Sequence, residues 1–289
     1  MKTKTFSIVI AMMLLISSIA SAQSKLQLKV ITSSPEGFWV NSTLVFGQKD
    51  AILIDAQFTL SDAHRLAASI LESQKNLTTI YVTHFHPDHY FGLAVLKQAF
   101  PNAKIVALPS TIAGIKKTWE GKMQQWKPLY GDNIPASPII PEPLTGTTLT
   151  LEGEALQIFG EVQGDAMDNS YIWIPALKAV VCGDIVYSGV YLWTLETTPT
   201  SRRDWIKTVD KITALNPAIV VAGHKNPDLK DDVSSLQFTK SYLVFYDEAL
   251  AVSKTAEEFR AKVNNKFPNL GLDIILKLAS DAVFSGAKN

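Results

Sequence analysis

The chain has 289 residues, of which 27 are basic and 27 acidic, and 47% of its residues are hydrophobic. This hydrophobicity argues against a disordered chain, the single cysteine excludes a disulfide-rich scaffold, and the balanced charge excludes a polycationic nucleic-acid binder. One large globular domain, or at most two, is expected. Three of the five histidines fall within six residues, at His84, His86 and His89.

The N-terminal segment has the pattern of a secretory signal peptide. Lys2 and Lys4 precede an apolar stretch, and Ala20-Ser21-Ala22 follow it. The apolar stretch is shorter than the ~20 residues that a membrane-spanning helix needs. We therefore predict cleavage after Ala22 and a secreted or periplasmic mature chain, residues 23–289, with a formal charge of −2. That charge favours neither nucleic acid nor a membrane surface as a partner, and a small-molecule substrate is expected.

The first half of the mature chain alternates predicted strands with predicted helices. Extended runs begin at Leu26, Phe38 and Ala51, and a helix opened by Ser61 and Asp62 follows them. Further along come a strand at 78–82, the histidine cluster, a helical stretch at 91–100 and a strand at 103–108. Strands that alternate with helices predict an α/β architecture.

The second half repeats this order after a long connection at 109–143, whose closing prolines cannot form an inner strand. A new run of strands begins near Thr147, and a helix over 202–215 and a strand ending at His224 follow. Two or three helices from about residue 232 complete the chain. The two halves predict a sandwich of two similar αβ modules within one domain, residues 23–289.

The histidine cluster has the residue types and spacing of a metal site. His84 and His86 alternate on an extended segment behind a buried strand, Pro87 turns the chain, and Asp88 and His89 lie where a helix begins. Four side chains able to bind a metal therefore converge. Neutral imidazole and carboxylate suit zinc and similar divalent ions, and a polar turn without a metal is the less favoured alternative.

The segment HFHPDH resembles the signature of the metallo-β-lactamase superfamily. The resemblance implies a four-layer αββα sandwich, an α/β fold with a one- or two-metal site at one edge of its sheets. It also implies that Asp184, in a Gly-Asp pair, is the bridging aspartate and that His224, in a Gly-His pair, is the last histidine. Asp55 matches the aspartate that supports the metal ligands. The resemblance covers roughly residues 26–224.

One position departs from the family pattern, which places a third histidine between the first cluster and the bridging aspartate. The register of the segment at 164–169 puts Asp165 at that position. Asp165 is predicted to replace the imidazole as an oxygen ligand. Two alternatives remain open: Glu161 or Asp168 reaches the metal instead, or the first site is weakened or empty. A carboxylate in this place makes the bound metal a weaker Lewis acid. It also allows the site to bind iron or manganese instead of zinc.

The resemblance implies two divalent metal ions, with zinc favoured and iron or manganese as alternatives. The expected ligands are His84, His86 and Asp165 for the first ion, Asp88, His89 and His224 for the second, and Asp184 for both. We predict an exported hydrolase in which a metal-activated hydroxide attacks a small ester or amide, with lactones or β-lactams favoured. Asp88 is also the predicted catalytic residue that takes the proton as the leaving group departs.

Several rival functions are compatible with the same fold. Phosphodiesterase, sulfatase and thioesterase activities belong to the family, and a non-catalytic metal- or ligand-binding protein with a degenerate first site is a second class. The RNA-processing branch is disfavoured because we find no nuclease domain and no basic excess. The flavodiiron branch is excluded because it has a glutamate where His86 stands.

The remaining candidate residues are less specific. Cys182 is either a thiolate ligand of the second site or, as we favour, a buried and inert side chain. His64 is expected to be solvated and without a role. An apolar pocket over the metals, or alternatively core packing, is predicted for the aromatic side chains Trp119, Trp126, Tyr130, Tyr187, Tyr191 and Trp193.

Overall fold

The computed structural model describes residues 26–285, and the predicted signal peptide lies outside them. The strands are β1 Gln27–Thr32, β2 Asn41–Phe46, β3 Asp50–Ile54, β4 Asn76–Val82, β5 Lys104–Ala107, β6 Glu142–Pro143, β7 Thr148–Leu151, β8 Glu154–Val162, β9 Asn169–Ile174, β10 Ala179–Val181, β11 Tyr187–Ser188, β12 Ile219–Val221 and β13 His224–Lys225. The α-helices are α1 Leu60–Glu72, α2 Leu93–Ala99, α3 Pro109–Tyr130, α4 Pro199–Ala214, α5 Ser234–Val252, α6 Ala256–Lys266 and α7 Asp273–Phe284. Across residues 26–285 no helix combines the length and hydrophobicity that crossing a bilayer requires.

Two sheets, one from each half of the chain, carry the fold. The first has the order β1-β2-β3-β4-β5-β6, antiparallel from β1 to β3 and parallel from β3 to β6. The second has the order β12-β10-β9-β8-β7, in which only β12 and β10 run parallel. Strands β11 and β13 form a separate parallel pair. The order of strands then helices in each half follows the prediction.

Side-chain alternation along the inner strands divides the core into three apolar layers. On β3, Ile52 and Ile54 pack between the two sheets, whereas Ala51 and Leu53 pack with α1 and α2. On β10, Val181 faces the first sheet and Val180 faces the C-terminal helices. A strand with apolar residues on both faces must have other elements packed against both faces. The layers are therefore helix, sheet, sheet, helix, which confirms the predicted αββα sandwich.

The long connection contains a helix that we did not predict from the sequence. Helix α3 has 22 residues and begins with Pro109 in its first turn, where a missing N–H is harmless. Its buried residues are only Thr111, Ile112 and Ile115. Its apolar residues nevertheless recur at intervals of three and four residues, at Ile112, Ile115, Trp119, Met123, Trp126 and Tyr130, so a helical period is present in the sequence although we predicted no helix there. The prolines that follow lead into β6 at the edge of the sheet, as expected.

The ends of the strands bring the predicted site residues to one edge of the sandwich. Asp55 directly follows β3, His84 follows β4, Asp184 follows β10, and His224 lies just beyond β12. Parallel strands present their carboxyl ends at the same edge of a sheet, and ligand sites in α/β folds lie there. Asp165 joins them from the connection between β8 and β9.

Candidate metal centre

All seven predicted ligands lie together in two adjoining groups of side chains. Within each group the candidate ligand atoms lie within 4.8 Å of one another, and both groups include Asp184. The first group contains His84, His86, Asp165 and Asp184, and the second contains Asp88, His89, Asp184 and His224. This division matches the one implied by the family resemblance. The ligand roles themselves stay predictions.

Two buried residues, Asp55 and Thr83, orient the histidines His84 and His89. The Asp55 carboxylate accepts hydrogen bonds from the Thr83 N–H (2.8 Å), from the Thr83 hydroxyl (2.8 Å) and from Nδ1 of His89 (2.7 Å). Because the hydroxyl of Thr83 gives its proton to Asp55, it accepts from Nδ1 of His84 at 3.0 Å. Both rings therefore carry a proton on Nδ1 and turn Nε2 towards the centre.

A backbone carbonyl orients His224, and side chains flank His86. Nδ1 of His224 donates to the carbonyl oxygen of Phe38 at 2.6 Å, which leaves Nε2 to face Asp88 (3.1 Å) and Asp184 (3.2 Å). His86 is arranged the other way round, with Nδ1 at 2.9 Å from Asp165 and Nε2 at 3.3 Å from Oε1 of Glu196. The first group therefore offers Nε2 of His84 and Nδ1 of His86.

The two glycines that precede Asp184 and His224 have physical reasons to be glycine. Gly183 has a φ of +49°, in the left-handed region where a side chain is strained. Gly223 packs against Asp184 so closely that a Cβ at this position would collide with Oδ1 of the carboxylate. The Gly-Asp and Gly-His pairs, weak signals in a sequence, are therefore requirements of the geometry that holds Asp184.

Asp165 occupies the place where the family pattern has a histidine. Its side chain is completely buried and contacts His86, the amide of Asn169 (3.1 Å) and the hydroxyl of Tyr187 (3.3 Å). The two alternatives for this ligand fit less well, since Glu161 is exposed and neither it nor Asp168 belongs to either group. The geometry favours Asp165 among the three carboxylates.

Orphaned polar atoms show that the centre fits a divalent metal. Among the described residues, the buried atoms Nε2 of His84, Nε2 of His89 and Oδ1 of Asp184 have no hydrogen-bond partner. Nε2 of His89 and Oδ1 of Asp184 lie 3.0 Å apart without forming a hydrogen bond. Buried polar groups left unpaired cost about 1–3 kcal/mol each, so potential ligand atoms that cluster without partners call for a cation. Imidazole and carboxylate donors are those that zinc accepts.

Protons partly take the place of a cation in the metal-free centre. Burial lowers the pKa of His86 and of His224, but the carboxylates beside them outweigh it and raise both pKa values to about 10. Burial also raises the pKa of Asp165 to about 6, against the opposing charge of His86. The pKa of His84 is held well below its usual value by burial and by the charge of His89. Burial lowers the pKa of His89, but the carboxylates of Asp184, Asp55 and Asp88 outweigh it and hold that pKa well above its usual value. His84 is therefore neutral, whereas His86, His89 and His224 are protonated at pH 7.

Metal affinity is accordingly expected to rise with pH. Binding of both metal ions must displace the protons of His86, His89 and His224, so about three protons leave and the apparent affinity for the pair of ions rises by about 1000-fold per pH unit near pH 7. The raised pKa values of His86 and His224 also stabilise the metal-free fold below pH ~6.5, a contribution that is lost as the pH rises through ~10. Chelator competition at pH 6–8, with calorimetry in two buffers to count protons, measures the slope. An affinity independent of pH would contradict the prediction, and His64→Ala should leave the slope unchanged.

Asp55→Ala is expected to weaken both the fold and the centre. The substitution leaves the buried donors of Thr83 and His89 without their acceptor, at a cost of about 2–4 kcal/mol in the free energy of unfolding. Metal affinity should fall about 10–100-fold because His89 loses its orientation. Urea unfolding and metal titration measure the two effects. Asp55→Asn keeps the size and the left-handed backbone (φ 63°), and it should recover more stability than affinity.

An apolar pocket opens over the metal-binding groups, with about 510 Å³ of empty space including its open mouth. Predicted aromatic residues that line it are Trp126, Tyr187, Tyr191 and Trp193. Trp119 and Tyr130 do not, contrary to the prediction. Tyr130 packs on Phe58 and donates its hydroxyl to the carbonyl of Glu36, and Trp119 lies one helical turn before the pocket-lining Lys122. Leu272 and Ile275, near the C-terminus, complete the wall.

The sequence did not predict the contacts that Tyr187 and Glu196 make at the centre. Tyr187, considered only as a pocket wall, donates to Oδ2 of Asp184 at 2.9 Å and so ties the shared carboxylate to Asp165. Burial and these carboxylates hold the pKa of Tyr187 well above its ordinary value, so the hydroxyl keeps its proton. The spacing of three residues from Asp184 is the only local signal for Tyr187. Glu196 lies in a loop whose sequence carries no signal.

The two remaining candidates lie away from the metal-binding groups. Cys182 is completely buried in the apolar layer under the C-terminal helices and belongs to neither group. Burial raises the pKa of its thiol, which keeps it protonated. His64 is exposed on α1. Both placements agree with the favoured interpretations, a buried and inert Cys182 and a solvated His64.

Comparisons with known proteins agree with this geometry. A family model described as the metallo-beta-lactamase superfamily matches residues 37–224, which include all seven candidate ligands. Among solved structures, the DIM-1 metallo-beta-lactamase exposed to ceftazidime is 22% identical, with a TM-score of 0.54 over 78% of this chain and 94% of its own. A metallo-beta-lactamase from Pontibacter korlensis is 19% identical, with a TM-score of 0.55 over 76% and 95%.

A third similar structure covers more of the chain. The metallo-beta-lactamase family protein TTHA1429 from Thermus thermophilus is 20% identical, with a TM-score of 0.61 over 91% of this chain and 94% of its own. At these identities the likeness demonstrates a shared fold. The comparison with curated proteins gave no match.

Proposed function

Because the chain belongs to the metallo-β-lactamase superfamily, we propose that it is an exported hydrolase that uses two divalent metal ions to cleave a small ester or amide, with lactones and β-lactams as the favoured substrates. The observation that carries the proposal is the pair of ligand groups that share Asp184. Zinc is the favoured metal, and the anionic first group leaves iron and manganese as alternatives.

Divalent ions bound here would lower the pKa of water towards ~7 and polarise the scissile carbonyl. The first group, His84, His86 and Asp165, and the second, Asp88, His89 and His224, would hold them on either side of Asp184. Tyr187 keeps its proton and fixes the Asp184 carboxylate by donating to it. Thr83, Asp55 and the Phe38 carbonyl hold three of the imidazole rings in position, so the centre is preorganised.

Asp88 is suited to move the proton of the leaving group. Its side chain is 14% exposed, more than those of Asp165 and Asp184, and it lines the pocket beside His224. Burial favours the protonated form of Asp88, but the charges of His89 and His224 outweigh burial and lower its pKa. An ionised carboxylate at the pocket floor can accept the proton that the attacking water gives up and return it to the departing alkoxide or amine, while the apolar walls exclude bulk water.

A substrate panel tests the proposal. The protein loaded with Zn, Mn or Fe is assayed with nitrocefin, lactones, p-nitrophenyl esters and phosphodiesters. Turnover of an ester or amide that is abolished by His86→Ala supports the proposal. Preferential turnover of phosphodiesters would replace it with the phosphodiesterase alternative. Bound metal without turnover of any substrate would instead favour a binding protein, and failure to bind or recruit any transition metal would overturn the proposal.

We also propose that export removes residues 1–22. The support is the charged start, the short apolar stretch and the Ala20-Ser21-Ala22 site in the sequence. N-terminal sequencing of protein secreted by a bacterial host should begin at Gln23. An intact N-terminus, or retention in the cytoplasm, would contradict export.

A further inference from the structure

The pocket beside the metal-binding groups is apolar apart from the groups themselves and one lysine. Its walls come from distant parts of the chain and include Phe38, Phe58, Trp126, Trp193, Leu272 and Ile275. Lys122, from α3, is the only lysine or arginine that lines the pocket among residues 26–285. Whether the positive charge of Lys122 is already paired therefore decides how tightly the pocket binds an anionic substrate.

The charge of Lys122 is already compensated within the protein. Its ammonium lies 2.9 Å from Oε1 of Glu196, and the same oxygen lies 3.3 Å from Nε2 of His86. The side chains of Lys122 and Glu196 are 14% and 29% exposed, so water only partly screens the pair. If Nδ1 of His86 binds a metal, the ring proton must reside on Nε2, which lies near Glu196 but forms no hydrogen bond with it in this structure. Lys122 is therefore the donor that holds Glu196.

An incoming carboxylate would find no free protein cation in this pocket. The ligand carboxylates of Asp88, Asp165 and Asp184 would offset most of the charge of two divalent ions, and Glu196 offsets that of Lys122. Moving a further carboxylate from water into an apolar pocket without a partner costs several kcal/mol, whereas an alkyl chain gains about 0.8 kcal/mol per buried CH₂. The balance favours uncharged, apolar substrates.

Building on the proposed hydrolase function, we infer that Glu196 is a specificity-determining residue: by neutralising Lys122, it selects uncharged lactones or esters with a hydrocarbon chain over substrates that carry a carboxylate, such as β-lactams. Glu196 lies in the loop between β11 and α4, and Lys122 lies on α3, so two separate segments of the chain set this selectivity together.

Binding of two matched probes tests the inference without relying on turnover. The cobalt-loaded protein is titrated with hexanethiol and with 6-mercaptohexanoate, whose chains differ only in ending with a methyl or a carboxylate. The visible absorption of cobalt reports thiolate binding. The unsubstituted protein should bind hexanethiol at least about 10-fold more tightly than the carboxylate.

Two variants that break the same ion pair should change the preference for hexanethiol in opposite directions. Glu196→Gln frees the charge of Lys122, so the preference for hexanethiol should shrink by about 10-fold or reverse. Lys122→Met leaves Glu196 uncompensated, so the preference should grow. If the ion pair had only a structural role, both variants would change the preference for hexanethiol in the same direction. That result would overturn the inference. Lys127→Met, on the same helix but paired with Asp132 away from the pocket, is the matched control and should change nothing.

The remaining outcomes separate this inference from the proposed function. Equal binding of the two thiols by the unsubstituted protein, with metal content verified, would overturn the role of Glu196 and leave the hydrolase proposal standing. Failure of the protein to take up cobalt would overturn both. Tighter binding of the carboxylate by the unsubstituted protein would overturn the inference and point to an anionic substrate.

Discussion

Asp184→Asn is expected to abolish turnover, with kcat/KM falling by at least about 10³-fold on the substrate that the panel identifies. Asp184 belongs to both ligand groups, and its carboxylate lies 3.0 Å from Nε2 of His89 and 3.2 Å from Nε2 of His224. An amide has the same size but carries no negative charge and has one oxygen fewer. Both metal sites should therefore weaken together.

The measurement pairs kinetics with metal content. The Asp184→Asn protein should retain its circular dichroism spectrum but bind fewer than two metal ions per chain under conditions that saturate the unsubstituted protein. Asp210→Asn is the matched control, because Asp210 forms an exposed pair with Lys240 far from the centre. It should keep full activity. A variant that retains both ions and more than about a tenth of the rate would exclude a bridging role for Asp184.

Asp165→Ala is expected to reduce the metal content from two ions to one. Asp165 belongs only to the first group, and its removal leaves that group with His84, His86 and the shared Asp184. The second group is unaffected because Asp88, His89, Asp184 and His224 do not include it. Turnover should fall about 10²–10³-fold if both ions act together. Elemental analysis and kinetics on one preparation measure the two effects.

Variants of neighbouring ligands make this result specific. His86→Ala should lose the same ion as Asp165→Ala, whereas His224→Ala should lose the other. Asp165→His supplies the imidazole of the family pattern, and the affinity for manganese relative to zinc should fall at least about 10-fold. Asp165 is completely buried, so circular dichroism must verify that the larger ring is accommodated. Unchanged metal preference and rate in Asp165→His would mean that Asp165 is not a ligand.

Helix α3 illustrates where the sequence pattern falls short. Periodicity predicted α1 and α4 because each presents a long apolar face to a sheet. Helix α3 fully buries only Thr111, Ile112 and Ile115, and Lys122 and Trp126 in its second half line the pocket. Apolar residues recur along it at helical spacing, but that period does not show that the helix brings Lys122 and Trp126 to the pocket, which depends on how the helix packs.

The candidate ligands divide in the same way. Spacing alone brought His84, His86, Asp88 and His89 together, because all four lie on one short turn after β4. Assigning Asp184, His224 and Asp165 required the family resemblance, since short pairs such as Gly-Asp and Gly-His occur by chance. No local pattern indicated Glu196, because its partners lie elsewhere along the chain, and the spacing of three residues from Asp184 was the only local signal for the hydrogen bonds of Tyr187.

The sequence by itself determined the order of strands and helices, the first histidine cluster and the departure at Asp165. These features depend on neighbours within a few residues, where backbone geometry limits the possible arrangements. Only the tertiary structure decided which ring nitrogen each histidine presents, how Tyr187 links Asp184 to Asp165, and that Glu196 lies between His86 and Lys122. Most of these contacts join residues that lie far apart in sequence, such as His86 and Asp165 or Lys122 and Glu196, and only the packing of two sheets and their helices determines which of them meet.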